Sequence, residues 1–296
     1  MKAQSLTLPN DAEAWADNLS TLAVSSLIEE ARLSPKPGLV DSRGPGAHQD
    51  LSLALMERSA RSLRPTFYRL ALHSWQRPPD MALRQEIGRL GRQGEQHMMN
   101  ATGGVNTHRG AIWALGLLAS ASAMLGGRGT VAAIAAHAAR LAVLPDPSQP
   151  KIFSKGQRAT QRYQVPGARE EAIGGFPHVT LRALPQLRRS RLAGAGESEA
   201  RLDALMAIMA TLTDTCVLNR GGMAALTAMH HGAAAVLTAG GTGCPAGRAA
   251  LAALELRMLA DNASPGGAAD LLAATFFLDW ASARPSTSSR GCYGTN

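Results

Sequence analysis

Apolar residues recur at helical spacing along most of this chain. Near one face of segment 11–33 lie Trp15, Leu19, Leu22, Leu27 and Leu33. This periodicity predicts an amphipathic helix. Pro35 and Pro37 follow directly after the segment and end the helix.

Similar patterns predict further helices along the chain. Their ranges are 50–73, 81–99, 109–125, 130–144, 170–174, 179–189, 199–218, 222–239, 247–262 and 268–280. Pro65 should kink or break the first of these helices, and the proline-punctuated segment 145–150 is predicted to be a linker. No segment has the pattern of a strand ladder, so the sequence predicts an all-α fold.

Composition supports this fold class. The hydrophobic fraction of the 296 residues is 45%, carried by Ala, Leu and Met, whereas aromatic residues make up only 4%. Such a core favours close packing of helices over a β-sandwich. We predict one compact multi-helix domain over 1–282, in which Gly- and Pro-rich loops form a central cleft. The Ser-, Thr- and Gly-rich segment 283–296 is predicted to be a flexible tail.

Cysteine usage and the lack of a targeting pattern predict a cytoplasmic protein. Cys216, Cys244 and Cys292 have no zinc-site or disulfide-framework spacing, which fits a reducing compartment. Segment 1–18 is polar and carries acids, unlike a signal peptide. The longest uncharged stretch, 111–127, contains Ser and Gly and is shorter than the ~20 apolar residues of a membrane span.

The chain is strongly basic. Its formal net charge is +8, and the excess lies in segments 58–92, 151–169 and 182–201. Such a charge attracts polyanions, which include nucleotides, coenzyme A derivatives, nucleic acid and acidic partner proteins. Charge alone does not choose among these.

Four polar, glycine-bearing segments separate the predicted helices. They are 34–50, 102–110, 167–172 and 264–270. Together they contain cations, carboxylates, imidazoles and backbone N–H groups, which are the groups needed to hold a metal-bound polyphosphate. We therefore expect these segments to build a functional site.

The second of these segments combines a glycine pair with a helix start. Gly103 and Gly104 permit left-handed backbone, and Asn106 or the residue after it can cap the helix that begins at Arg109. Free N–H groups and the positive end of the helix dipole would then lie beside His108. The result is either an anion site or an ordinary capped helix.

The first segment holds Lys36 between two prolines, and this stiff backbone prearranges a cation that suits phosphate. Asp41 follows within reach. A loop that merely terminates the preceding helix is the alternative. His48 and Asp50 open the next helix, where the carboxylate could simply complement the helix dipole.

The remaining polar groups have structural alternatives of similar weight. Arg169 and Glu170 could clamp a ribose or a metal, or could lie at an exposed helix start. Asp214 and Arg220 flank a helix break and could form a structural ion pair. The pair Asp261 and Asp270 flanks a glycine loop and could hold Mg²⁺ with waters or belong to a plain turn; His230 and His231 receive no role.

Several segments resemble one enzyme family in their residues and in their order along the chain. They are 34–41 (SPKPGLVD), 46–48 (GAH), 104–111 (GVNTHRGA), 175–177 (GFP) and 264–273 (SPGGAADLLA). Over about residues 25–280, the chain resembles the triphosphoribosyl-dephospho-CoA synthase family, and its malonate decarboxylase branch more than its citrate lyase branch. Gln164, Cys216 and Asn219 depart from the residues expected at these positions.

This resemblance implies an all-helical pentosyltransferase that uses ATP with Mg²⁺ and 3'-dephospho-CoA. The enzyme would join the ribose triphosphate of ATP to the ribose of dephospho-CoA and release adenine. The product would be the precursor of the prosthetic group of an acyl carrier protein subunit. Such a reaction needs anionic stabilisation of oxocarbenium-like charge, an acid, a base and several cations for two polyphosphate-bearing substrates.

We assign roles as a hypothesis. The residues expected to bind substrate are Lys36, His48, Asn106, Arg109, Arg169 and Arg220, with backbone N–H groups of Gly103, Gly104, Gly266 and Gly267. The candidate Mg²⁺ ligands, directly or through water, are Asp50, Asp261 and Asp270. Asp41 and Glu170 are candidates for base and oxocarbenium stabiliser, and His108 for the acid that protonates adenine; acid and base are interchangeable.

Three other functions fit parts of the sequence. The Arg clusters fit a helical nucleic-acid-binding protein, but three Tyr and five Phe give little for base stacking, and no groove-reading module is present. A noncatalytic adaptor could dock an acidic carrier protein through segment 58–92. Another Mg²⁺-dependent ribosyl enzyme, such as an ADP-ribose hydrolase, is the nearest enzymatic alternative. The sequence leaves the oligomeric state open.

Overall fold

A computed structural model describes residues 9–149 and 154–282. The α-helices in these ranges are α1 (Pro9–Arg32), α2 (Leu53–Ser62), α3 (Arg64–Ser74), α4 (Met81–Thr102), α5 (Arg109–Met124), α6 (Val131–Val143), α7 (Lys155–Tyr163), α8 (Ala168–Ile173), α9 (Leu184–Leu192), α10 (Glu197–Met209), α11 (Thr215–Thr238), α12 (Pro245–Ala260) and α13 (Gly266–Ala281). A π-helical turn, His178–Ala183, precedes α9. Within the described ranges the β-type pairing is a single bridge between Asp41 and Gly44, and the all-α prediction is confirmed.

Helix α5 lies at the centre of the fold. From Ala111 to Met124 every residue except Trp113 is buried, and α1, α3, α4, α6 and α13 pack around it. Its many Ala, Ser and Gly residues allow neighbouring helices to approach closely, as where Leu70 of α3 contacts Gly116. Helices α9 and α10 extend this core through α13, and α11 and α12 form a hairpin against α10.

The helix breaks differ from the prediction in the segment 199–218. The chain leaves α10 at Met209 and starts α11 at Thr215, because the Asp214 side chain accepts hydrogen bonds from the N–H groups of Cys216 and Val217. The break expected before residue 222 is a kink inside α11, where Gly222 has a φ of 66°. A capping carboxylate therefore sets the helix start that periodicity placed elsewhere.

Helix α7 was missed, although Ser154 and Gln157 form a capping box at its start. The predicted linker, 145–150, is an irregular loop over its described residues 145–149, and its role as a linker stays a prediction. Asp146 in this loop is buried, and it binds Arg92 at 2.6 Å and Arg84 at 3.6 Å. These ion pairs fix the loop to α4, so it packs as part of the domain.

No helix in the described ranges is both long and apolar enough to cross a bilayer. The buried apolar side chains form one continuous cluster that extends from α1 to α13. The predicted tail, 283–296, and Cys292 within it lie outside the described residues. The domain boundary at 282 and the central cleft stay predictions.

Candidate active site

The loop after α1 buries an ion pair. The Nζ of Lys36 donates to the backbone oxygen and to the carboxylate of Glu30, both at 2.5 Å, and their side chains are only 1% and 4% exposed. The two prolines around the lysine turn the chain back so that this ammonium faces the last turn of α1. Lys36 is therefore an internal cation, not the presented phosphate-binding group that the sequence predicted.

Asp270, near the N-terminus of α13, approaches the start of α5. Its Oδ2 lies 2.0 Å from the position that a Cβ at Gly110 would occupy, so the approach requires glycine there. Desolvation raises the pKa of Asp270 well above its usual value, with Glu30 and Asp214 adding repulsion and the Ala111 N–H opposing them. Loops far apart in sequence thus bring acidic groups together in front of α5.

His108 begins α5 as a buried, neutral ring. Its Nδ1 lies 2.8 Å from the Oγ of Ser59, whereas its Nε2 has no hydrogen-bond partner among the described residues. Burial, assisted by the charge of Lys36, lowers the His108 pKa from 6.5 to about 4. The ring is therefore uncharged at neutral pH, and the role of His108 as the acid that protonates adenine stays a prediction.

Asp41 is a structural carboxylate. It accepts hydrogen bonds from the Lys36 N–H at 2.9 Å and from the Arg43 side chain at 2.7 Å, and that guanidinium also binds Glu255 on α12 at 2.7 Å. Burial raises the Asp41 pKa, but the hydrogen bonds from Arg43 and the backbone outweigh it and lower the pKa overall. Its predicted role as a base is unsuited to a carboxylate held by these donors.

Asp214 joins the N-termini of two helices. It caps α11 through the Cys216 N–H at 2.8 Å and caps α13 through the Ala268 N–H at 2.9 Å. The Gly267 N–H also points at this carboxylate, and the Gly266 N–H donates to Ser264. The N–H groups of Gly266 and Gly267 are therefore engaged internally, and the prediction that they are free for phosphate is wrong.

Replacing Asp214 by alanine is expected to lower the free energy of unfolding by about 2–3 kcal/mol, since each cap contributes ~1 kcal/mol and the N–H groups become unsatisfied. Urea denaturation measures the change. Asp214→Asn is the matched control, because it keeps one acceptor oxygen and should lose less than half as much. An alanine variant as stable as the parent would contradict the double cap.

His48, Ser264 and Arg220 connect the first loop to α11 and to the loop before α13. The Nε2 of His48 lies 2.8 Å from the Oγ of Ser264, and its Nδ1 lies 3.0 Å from the Arg220 guanidinium. Because arginine only donates, Nδ1 is the acceptor and the ring donates from Nε2 to Ser264. Arg220 also donates to the Ala47 oxygen at 2.7 Å, so it fixes the first loop to α11.

The glycine pair and Asn106, before α5, are engaged in local hydrogen bonds with the backbone. The N–H groups of Gly103 and Gly104 both donate to the Met99 oxygen, and the Asn106 side chain accepts from the Arg109 N–H at 3.3 Å. The prediction that the N–H groups of this glycine pair are free is wrong. They end α4, whereas Asn106 accepts from the first N–H of α5, whose N-cap position is His108.

Two arginines predicted to bind phosphate, Arg109 and Arg169, and the predicted catalytic acid Glu170 have different surroundings. Arg109 pairs with Glu95 at 3.0 Å, and Arg169 is exposed on α8. Glu170 is also exposed and accepts from the Gly167 N–H at 2.9 Å, which makes it a helix cap. Trp113 donates to the Ala168 oxygen at 3.1 Å, so α8 begins beside the first turns of α5.

The three candidate metal ligands do not form one cluster. Asp50 is 65% exposed and lies 3.7 Å from His48, and Asp261 pairs with Arg257 at 2.7 Å. Among the described residues no group of three or more His, Cys, Asp or Glu side chains could hold a metal ion. Asp270, beside Glu30, is the one of the three that lies with the buried acidic group.

A sequence profile described as ATP:dephospho-CoA triphosphoribosyl transferase matches residues 16–288. The chain belongs to this family. It is 69% identical over 271 residues to the 2-(5''-triphosphoribosyl)-3'-dephosphocoenzyme-A synthase of Klebsiella pneumoniae, which covers 92% of this chain and 97% of that protein. It is 58% identical over 279 residues to a protein of Azotobacter vinelandii named as a probable synthase of the same kind, with 92% of each chain covered.

Membership confirms the resemblance drawn from the loop segments, and it makes this triphosphoribosyl transferase a pentosyltransferase. No solved structure gives a significant match to the chain. The family segments coincide with the loops around Lys36, His108 and Asp270, so the positions that carry the resemblance are those that meet in space.

Three residues that the sequence analysis did not single out contact predicted site residues: Glu30, Ser59 and Ser264. Glu30 lies three residues after Leu27 on the apolar face of α1, and an acid on such a face was the available signal. Ser59 carries no motif, and Ser264 was noticed only as part of a loop. Their roles depend on partners distant in sequence, at His108 and His48.

The neutral His108 predicts a pH effect on the stability of this transferase. Because its folded pKa of about 4 lies below the ordinary 6.5, the contribution to stability is complete above pH 6.5 and is lost as pH falls towards 4. The difference in unfolding free energy between the parent and His108→Gln is expected to shrink by about 3 kcal/mol across this range. Denaturation curves at several pH values measure it, and a constant difference would contradict a buried neutral ring.

Proposed function

We propose that this protein transfers the 5-triphosphoribosyl group of ATP to the ribose of 3'-dephospho-CoA and releases adenine. The product would be the prosthetic-group precursor for the acyl carrier protein subunit of a malonate decarboxylase, in the cytoplasm. Family membership supports the reaction. The observation that carries the location is the approach of Asp270 to Gly110, in front of Glu30 and beside His108.

The acidic groups suit the chemistry at the anomeric carbon. Breaking the bond between C1' and adenine creates oxocarbenium-like positive charge, which nearby carboxylates stabilise. Asp270 supplies a carboxylate beside the start of α5, and the burial and neighbouring acids that raise its pKa would be offset as positive charge develops next to it. We assign the stabiliser role to Asp270, in place of Asp41 and Glu170.

The residues present fit Mg²⁺ only as a partner of the triphosphate. Magnesium usually takes one or two carboxylates together with substrate phosphates, and the Asp270 carboxylate, whose pKa is raised by burial and by neighbouring acids with no described cation opposing them, favours a cation beside it. Asp261 is less suited because Arg257 already neutralises it. When bound, the ion would neutralise the triphosphate and orient it.

The neutral His108 ring has hydrogen-bonding capacity left for the reaction. Ser59 engages Nδ1, which leaves Nε2 as a buried polar atom without a partner among the described residues. A buried polar atom without a hydrogen bond requires a partner, and a substrate group can provide one. We propose that Nε2 exchanges a hydrogen bond with a substrate, with Ser59 fixing the ring.

The test is an assay of adenine release. The protein is incubated with ATP, Mg²⁺ and either dephospho-CoA or CoA, and adenine is measured by chromatography. Adenine should form with dephospho-CoA and not with CoA, whose 3'-phosphate adjoins the acceptor hydroxyl. Release of adenine without any acceptor would favour a hydrolase, and no release at all would contradict the transfer.

A further inference from the structure

A basic groove between α7 and α11 is not used by the site described above. Its volume is about 330 Å³, and it is lined by Arg158, Ala159, Arg162, Tyr163, Leu218 and Asn219. Both arginines and the asparagine are exposed, whereas Ala159 and Leu218 are buried and form an apolar floor. The groove therefore combines a charged rim with an apolar base.

From this lining, we propose that the groove binds the diphosphate and the adjoining apolar part of dephospho-CoA. The inference rests on the proposed function and assigns the acceptor its position. Two guanidinium groups match the two charges of a diphosphate diester, and the apolar floor suits the uncharged portion next to it.

The absence of acids from the lining separates the acceptor from ATP. None of the described residues that line the groove is a carboxylate, so nothing there would help to hold a metal ion. The more highly charged triphosphate is better served near Asp270, whose carboxylate could help to hold a metal ion. The two substrates thus have sites of different charge.

An aromatic side chain adds a flat surface at one end of the groove. The guanidinium of Arg162 lies 5.3 Å from the centre of the Tyr163 ring, which orients both groups. The hydroxyl of this tyrosine is 3.4 Å from the position of a Cβ at Gly222, so the ring sits against the kink of α11. An adenine base can stack on such a rigid ring.

Helix α11 contributes residues both to the groove and to the contact with the start of α13. Leu218 and Asn219 face the groove, whereas the Sγ of Cys216 lies 3.1 Å from the Cβ position of Gly266 at the start of α13. Arg220, next to Asn219, contacts His48. A ligand in the groove can therefore extend around the first turns of α11 towards Asp270.

Steady-state kinetics of Arg158→Gln, Arg162→Gln and the double variant test the assignment. Each single change should raise the KM for dephospho-CoA about 10-fold and the double change about 100-fold, with the KM for ATP unchanged. Arg188→Gln, an exposed arginine on α9, is the matched control and should leave both values unchanged. A rise in the KM for ATP, or no rise for dephospho-CoA, would overturn the proposal.

Calorimetric titration with dephospho-CoA in the absence of ATP measures binding to the groove without catalysis. The double variant should bind about 100-fold more weakly than the parent. Tyr163→Phe should keep the affinity and Tyr163→Ser should lower it, since stacking needs only the ring. If the parent binds dephospho-CoA but releases no adenine, the transfer is contradicted and the groove is not; equal affinities of parent and double variant overturn the groove.

Discussion

A Lys36→Met variant is expected to lose about 3–5 kcal/mol of unfolding free energy and all measurable adenine release. The substitution leaves the Glu30 carboxylate buried without its cation, at a position where its side chain is only 4% exposed. Burial already raises the Glu30 pKa against the opposing effect of Lys36. Chemical denaturation and the adenine assay measure the two losses.

The double variant Glu30→Gln/Lys36→Met separates stability from activity. Removing both charges should recover most of the lost stability, because no unpaired charge remains buried. Activity should stay absent, because Glu30 belongs to the acidic group in front of α5. Arg32→Met is the control for an exposed pair: its partner is Glu57, its side chain is 50% exposed, and its loss of stability should be much smaller than that of Lys36→Met. A single Lys36 variant with parental stability would contradict the buried pair.

An Asp270→Asn variant is expected to become more stable while its kcat falls by about 100-fold or more. The raised pKa of Asp270 means that the charged form destabilises the fold at neutral pH, so removing that charge relieves the cost. The amide oxygen can still accept from the Ala111 N–H. Thermal unfolding should show the gain in stability, and single-turnover adenine release should show the loss of rate. A fall in both stability and rate would indicate a purely structural role.

Gly110→Ala tests the same position from the other helix. A Cβ there would lie 2.0 Å from the Asp270 carboxylate, so that side chain must move and activity should fall. Gly91→Ala is the control, because its Cβ would meet nothing within 4 Å on the same kind of helical backbone. Parental activity in Gly110→Ala would show that the approach of the carboxylate is dispensable.

Local patterns explain why the helices were predictable. Periodicity placed α1, α4, α5 and α6 within a few residues of their ends, and Pro65 marked the division between α2 and α3. These signals act over one or two helical turns. The split of 199–218 was missed because it depends on Asp214, whose second helix partner, Ala268, lies 54 residues away.

The site was predictable as a set of loops but not as a set of roles. The segments around Lys36, His108 and Asp270 were identified, whereas the inward turn of the lysine depends on Glu30, which only tertiary packing reveals. The free N–H groups expected at Gly103 are consumed by helix termination. Residue type gives chemical capability, but burial and neighbours determine whether a group is available to a substrate.

The cap shared by α11 and α13 has a consequence for biosynthesis. Helix α13 is the last helix described, and Asp270, Ala268 and the packing of α13 on α1 all depend on it. During translation, α1 and α5 emerge from the ribosome long before Asp270 on α13. In the proposed site, the Asp270 carboxylate is therefore missing until α13 has left the ribosome, and a nascent chain that stops before Gly266 is expected to release no adenine.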